Sequence, residues 1–308
     1  MPALITHHLF GEEAARLLPE DILSNEEEVL AFLLGNSGPD PLFFRFRTLP
    51  EVGAACHRLG SRMHSEKVSQ TMECLHDAVA HLRESDKNIG RAFVLGFLGH
   101  YLLDSTAHPF IYAQEDEICG SGVGLENHHE EVHALIESDL DSWMLWSMRE
   151  RTTEECKPQS MLTRTRRVSL VSGALMSQVA LQVFLIKLSP SEFVSCVDDY
   201  EFAYRVIEPA GSRKGQTLAK VEGLFKSYSM LDALAHIPGR SDECAAANLE
   251  HYPWADPATG QISRDSFADL FQEALDRWPD IAEAYTRGHY VKLQRLLGDR
   301  DFNGIPLE

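Results

Sequence analysis

Apolar residues recur at i, i+3, i+4 and i+7 along most of this chain, the spacing of a helix with one buried face. The pattern predicts helices over residues 12–18, 26–34, 67–82, 89–103 and 130–148, then over 168–188, 191–207, 218–235, 266–274 and 280–297. No stretch alternates with period two between Gly or Asn turns, so strands are expected to be nearly absent. Turn chemistry marks the breaks: Gly35 through Pro41, Gly120 through Gly124, Pro209-Ala210-Gly211, and an irregular connection from His251 to Gly260. No internal repeat is present. The expected fold is all-α, a multi-helix bundle in one domain spanning 1–308, with a core over 1–150 and a further helical layer over about 160–308.

Composition changes this picture little, but charge adds to it. The chain carries 28 Lys and Arg against 47 Asp and Glu, a formal net charge of −19. Such a field repels nucleic acid and anionic surfaces at long range, so no stable nucleic-acid complex is expected. Arg164-Thr165-Arg166-Arg167 is the one basic cluster, and it is too short to reverse that field. The six cysteines are scattered with no C-x-x-C pair, which suits reduced, packed thiols. No stretch has the length of uninterrupted apolar sequence that a membrane span needs. The start, Met1 through His8, has no basic region followed by an apolar run, so a cytoplasmic location is expected.

The histidines carry the chemistry. Eleven of the fourteen fall in the first 133 residues. The segment from Phe93 to Pro109 reads as an apolar helix ending near Pro109, whose ring restricts the residue before it. Residues four apart lie one turn along the same helical face, so His100 and Asp104, with His108 a turn further, project together from an apolar segment. An imidazole and a carboxylate aimed at one buried point are compensated by a cation. A single such pair is more often a core histidine bonded to its neighbour, so the argument rests on accumulation. His129, His133, Glu137 and Asp141 form a second stripe at intervals of four. His133 with Glu137 is the preferred ligand pair, His129 is the alternative, and Asp141 suits a residue that orients an imidazole. Thr6-His7 opens the first helix, Gly38-Pro39-Asp40-Pro41 fixes a carboxylate in a stiff turn, and Met63-His64 adds another imidazole. Five histidines and three carboxylates exceed one tetrahedral zinc and suit two or three sites sharing a carboxylate. The lack of thiolates favours Zn²⁺ or another imidazole- and carboxylate-loving metal.

In order and type these residues resemble the ligand set of the zinc-dependent phospholipase C family, which shares its fold with S1/P1-type nucleases. The resemblance lies in Thr6-His7, Gly38-Pro39-Asp40-Pro41, Met63-His64, His100-x-x-x-Asp104, His108-Pro109 and His133-x-x-x-Glu137. A weaker likeness runs from Asn248 to Trp254 and through Asp256-Pro257, Thr259-Gly260 and Ser266-Phe267. The resemblance implies one zinc on Asp40, His64, His100 and Asp104, and a second on His108, His133 and Glu137. His7 would help hold a third, with Asp104 as the bridge and with Asp40 and Asp104 as the catalytic carboxylates. In the secreted relatives an N-terminal Trp also serves the third metal, and no Trp precedes His7 here.

The implied activity is hydrolysis of a phosphate ester, such as a phospholipid. Clustered zinc lowers the pKa of a bound water to about 7, and the resulting hydroxide attacks phosphorus while another zinc stabilises the leaving oxygen. Asp40 would be a ligand or would orient that water. Leu42-Phe43-Phe44 and Tyr252-Pro253-Trp254 are candidates for a lipid entrance or for core packing. The same ions would serve a nuclease or nucleotidase. A metal-stabilised binding protein without turnover is a further class, and the dipeptide His76-Asp77 admits an HD-type phosphohydrolase.

Overall fold

Asn25, Thr165, Ser189 and Ser266 each stand just before an apolar-periodic stretch. Each side chain accepts the backbone N–H three residues on, at 3.1–3.2 Å. These contacts satisfy donors that a helix leaves open at its start. The computed structural model describes residues 4–122, 124–210 and 230–307. Within them the chain runs α1 (Leu4–Arg16), α2 (Glu26–Gly35), α3 (Pro50–Ser65), α4 (Val68–Ala80), α5 (Lys87–Gly120) and α6 (His129–Arg149). It continues with α7 (Arg166–Gln182), α8 (Pro190–Ile207), α9 (Phe267–Thr286) and α10 (Tyr290–Leu297), with a helical turn at Met230–Ala233. The architecture is all-α. A two-residue antiparallel pair, Trp254–Ala255 with Ile262–Ser263, is the sheet content of the described residues.

Several element boundaries differ from the sequence expectation, each for a physical reason. The segment 50–65 was not expected as a helix because Gly53 and Gly60 interrupt its pattern, yet Pro50 pre-sets its first turn. The pattern over 168–188 is helical only to Gln182, and the break expected before 280 falls after Thr286 instead. The helix expected over 218–235 lies largely outside the described residues, as do Gly211 and Met1 to Ala3. The largest correction concerns α5, which does not end near Pro109 but runs 34 residues through it. A proline inside a helix removes one N–H and leaves the carbonyl four residues back without its donor. Burial on every side compensates for that loss.

α5 is the axis of the molecule. It is buried nearly all round from Ile89 to Ile111 and packs against α1, α2, α4, α6, α7 and α9. Its contact with α2 is backbone on backbone. A Cβ on Gly96 would lie 2.0 Å from the Phe32 carbonyl oxygen, and one on Gly35 would lie 2.2 Å from that of Phe93. This approach sets Asn36, just past the end of α2, beside α5. Buried apolar residues from Leu4 to Phe302 form one contiguous core around that axis. All six cysteines are free thiols, and no helix of the described residues is long and apolar enough to cross a membrane.

Substituting Gly96 by Ala forces α2 away from α5. The expected cost is about 1–3 kcal/mol, as for other overpacked cores, read as a lowered urea midpoint at unchanged m-value.

Candidate metal centre

Eight polar residues meet on one side of α5, all of them buried. α5 itself supplies His100, Asp104 and His108. α1 brings His7, α3 brings His64, and α6 brings His133 and Glu137. Asp40 begins the 3₁₀ turn Asp40–Phe44, which follows Gly38 at φ +51°. Gly38 must lack a side chain on two counts: its φ is left-handed, and a Cβ would lie 2.1 Å from the His100 ring.

The ring protons reveal how the site is arranged. His64 donates Nδ1–H to the Gly60 carbonyl at 2.8 Å, and His100 donates to the Asn36 carbonyl at 3.0 Å. His108 donates to the Phe302 carbonyl at 2.9 Å, and His133 to the Glu115 carboxylate at 2.8 Å. With Nδ1 carrying the proton, each Nε2 presents a lone pair. Those four lone pairs face carboxylate oxygens. His64 Nε2 is 3.1 Å from Asp40 Oδ1, and His100 Nε2 is 3.1 Å from Asp104 Oδ2 and 3.8 Å from Asp40 Oδ1. His108 and His133 Nε2 lie 3.4 and 3.2 Å from Glu137 Oε1. At such distances each contact needs positive charge between nitrogen and oxygen, either a second ring proton, as in the His64–Asp40 and His108–Glu137 hydrogen bonds, or a bound cation. Among the described residues, buried His100 Nε2, His133 Nε2 and His7 Nδ1 find no hydrogen-bond partner of acceptable geometry. The donor set therefore fits bound cations, and nitrogen with carboxylate oxygen suits zinc.

Three wholly buried groupings have ligand atoms close enough to hold an ion: His7, His100 and Asp104; Asp40, His64 and His100; and His108, His133 and Glu137. A fourth, largely exposed, joins Glu115, Asp116 and His129. Asp104 faces both ways, with Oδ2 toward His100 and Oδ1 2.9 Å from His7 Nε2. Burial pushes its carboxyl up, but His100, His108 and His7 around it hold it well below the usual range. Asp40 behaves likewise beside His100 and His64. Burial disfavours the charged His133 ring, and Glu137 and Glu115 outweigh that and raise it.

Of the two candidate histidines on α6, His133 joins His108 and Glu137. His129 is half-exposed and bonds Glu115 Oε1 at 2.7 Å. Glu115 thus clamps both rings and fixes the tautomer of His133. It was not anticipated from sequence because the helix was ended at Pro109. Carried through the proline, α5 places Glu115 two turns beyond His108. Asp141 orients an imidazole, as the stripe suggested, but that ring belongs to His236. His236 Nε2 donates to Asp141 at 3.0 Å and Nδ1 to Glu208 at 2.6 Å. Asp141 also accepts the N–H groups of Ile5 and Thr6 at 2.9 and 2.7 Å, which anchors the helix that carries His7. The His76-Asp77 pair joins none of the groupings and bonds the Tyr290 hydroxyl instead.

A cavity of about 310 Å³ borders His133, and Phe43, His57, Tyr112 and Glu115 line it. Phe43 therefore belongs to the opening of the site, while Leu42 and Phe44 pack in the core. Trp254 lies elsewhere, against Phe110.

The sequence profile described as zinc dependent phospholipase C matches residues 6–177, more than half of the chain and all eight residues above. The chain belongs to the zinc-dependent phospholipase C family. No curated protein and no solved structure matches it. Membership accounts for the all-α architecture and for a histidine-rich face able to hold metal. His236, Glu208 and Phe302 lie beyond the matched segment.

His236 offers a pH test. Burial disfavours its charge, but Asp141 and Glu208 raise its pKa from 6.5 to about 9. The folded protein therefore holds the proton more tightly than the unfolded chain. The stability so gained is complete below pH 6.5 and is lost as pH rises through 9. The loss should be on the order of 3 kcal/mol at about 1.4 kcal/mol per unit. In His236→Gln, urea unfolding of metal-free protein should lose that slope.

Proposed function

We propose that this chain is a zinc-dependent hydrolase of phosphate esters, a phospholipase C-like phosphodiesterase. The observation that supports it most is the set of four imidazoles whose Nδ1 atoms are bonded outward while their Nε2 atoms converge on buried carboxylates. Asp40, His64, His100 and Asp104 would hold one zinc, His108, His133 and Glu137 a second, and His7 with Asp104 a third. Zinc bound there would supply Lewis acidity and acidify a water at neutral pH.

The residues of the chain account for the remaining requirements. Gly60, Asn36, Phe302 and Glu115 keep the four rings from rotating, so the ligand atoms are in place before substrate arrives. Asp104 carries charge shared between two sites. Asp40 would serve as a zinc ligand or orient the attacking water. The cavity beside His133 is at the small end of ligand sites, and Phe43 and Tyr112 give it apolar walls. It suits the polar end of an ester whose remainder extends outward. In a protein of net charge −19, the cations would create the local positive focus that an anionic ester needs.

Elemental analysis of untagged protein purified without chelator should find two or three zinc per chain. Hydrolysis of short-chain phosphatidylcholine should be lost on chelation and return with zinc. Turnover of nucleotides or single-stranded DNA in place of the lipid would move the assignment to a nuclease. Zinc without turnover of any of these esters would make the chain a metal-stabilised binding protein. Asp104→Asn should still fold by circular dichroism but lose zinc and at least about 100-fold in turnover, given the several kcal/mol that metal charge supplies. Full metal and full turnover in that variant would rule out the bridging role.

A further inference from the structure

The chain after α10 turns back over the metal centre. Asp301 shapes this turn: its Oδ1 accepts the N–H groups of Asn303 and Ile305, each at 2.9 Å, and its own N–H donates to the Ile305 carbonyl at 2.9 Å. The closed loop holds Phe302 wholly inside the protein. There the Phe302 carbonyl takes the Nδ1 proton of His108, and its N–H donates to the His64 carbonyl at 2.9 Å. Its ring lies with its centroid 5.0 Å from that of His64 and 5.8 Å from that of His100. Two tyrosines of α5 tie the loop down, Tyr101 through the Arg300 carbonyl at 2.7 Å and Tyr112 through Asn303 at 2.9 Å.

The seat of the loop is the irregularity in α5. Pro109 has no N–H, so the Ser105 carbonyl lacks its helical donor. Gly304, at φ +75°, rests against this spot. A Cβ there would lie 2.5 Å from Pro109 Cγ and 2.9 Å from the Ser105 oxygen. His64 finds its acceptor one turn back on its own helix and needs no outside help. His108 depends on a carbonyl 194 residues away.

We propose that the loop Arg300–Leu307 is a positioning element of the metal centre, setting the His108 ring and bracing His64 and His100, so that zinc affinity depends on its seating. This rests on the reading of those three histidines as ligands. Unseated, the loop leaves His108 without an acceptor and free to turn its Nε2 away from Glu137. Because linkage is reciprocal, bound zinc in turn fastens the loop.

The test uses the full chain. Gly304→Ala and Asp301→Ala should weaken zinc binding about 10- to 100-fold in chelator competition, as losses around a ligating histidine do. They should also alter the visible spectrum of the Co²⁺-substituted protein. Gly298→Ala is the matched control, because Gly298 has the same left-handed backbone (φ +79°) but its Cβ would touch nothing within 4 Å. It should bind zinc and cobalt as the wild type does. In the wild type alone, trypsin should cut after Arg300 faster without zinc than with it. Folded loop variants with wild-type affinity and spectrum would overturn the proposal and leave the ligand set standing. Equal tryptic cleavage with and without zinc would overturn it even if the variants fail to fold. A wild type that binds no zinc would overturn both readings together.

Discussion

A carboxylate held out of water among imidazoles is costly unless positive charge neutralises it. Asp104 sits in that position at the centre of the molecule, on the face of a helix that is otherwise packed all round. Its neighbouring imidazoles stabilise the anion when protonated, and through their lone pairs would do so by sharing a bound cation. The arrangement of α1, α3, α5 and α6 follows from the need to bring four helices to one point. The burial that makes the cluster unstable without compensation would also make it strong once metal is present, because few waters compete for the ligands.

Precision at that point depends on rigid surroundings. The backbone contact between Gly35 and Gly96 locks α2 to α5 and so fixes the Asn36 carbonyl that holds His100. Gly38 lets the Asp40 turn come in against the same ring. Asp141 and His236 form a buried charged pair that fastens the start of α1. Each of these acts on a ring or a helix end, and none of them touches the space between the histidines. The residues that define the cluster and the residues that hold it still are thus different sets.

These sets also divide along the chain. The family profile spans 6–177 and includes every proposed ligand. Part of the support comes from the far end, through Glu208, His236 and Phe302. The C-terminal region is therefore more than a covering layer, because it supplies a hydrogen-bond acceptor to His108 and packs an aromatic ring against both His64 and His100.

Helical periodicity was legible in the sequence because amphipathic faces repeat every 3.6 residues whatever the tertiary context. The pairs His100 with Asp104 and His133 with Glu137 were legible for the same reason, since i and i+4 share a face on any helix. Pro109 misled: its local preference argues for a helix end, and only burial on all sides carries α5 through it to Glu115. Gly53 and Gly60 hid α3 because local propensity is weak against packing. The choice between His129 and His133 was open in sequence, since both lie on one stripe; burial beside His108 and Glu137 separates His133 from the half-exposed His129. The Phe302 carbonyl could not be read at all, because every residue carries a carbonyl and only the folded path brings this one to His108. Side-chain type and spacing thus determined which groups stand together on a helix. For His100 and His108 the tertiary structure alone decided which ring nitrogen faces inward, because that depends on backbone acceptors 64 and 194 residues distant.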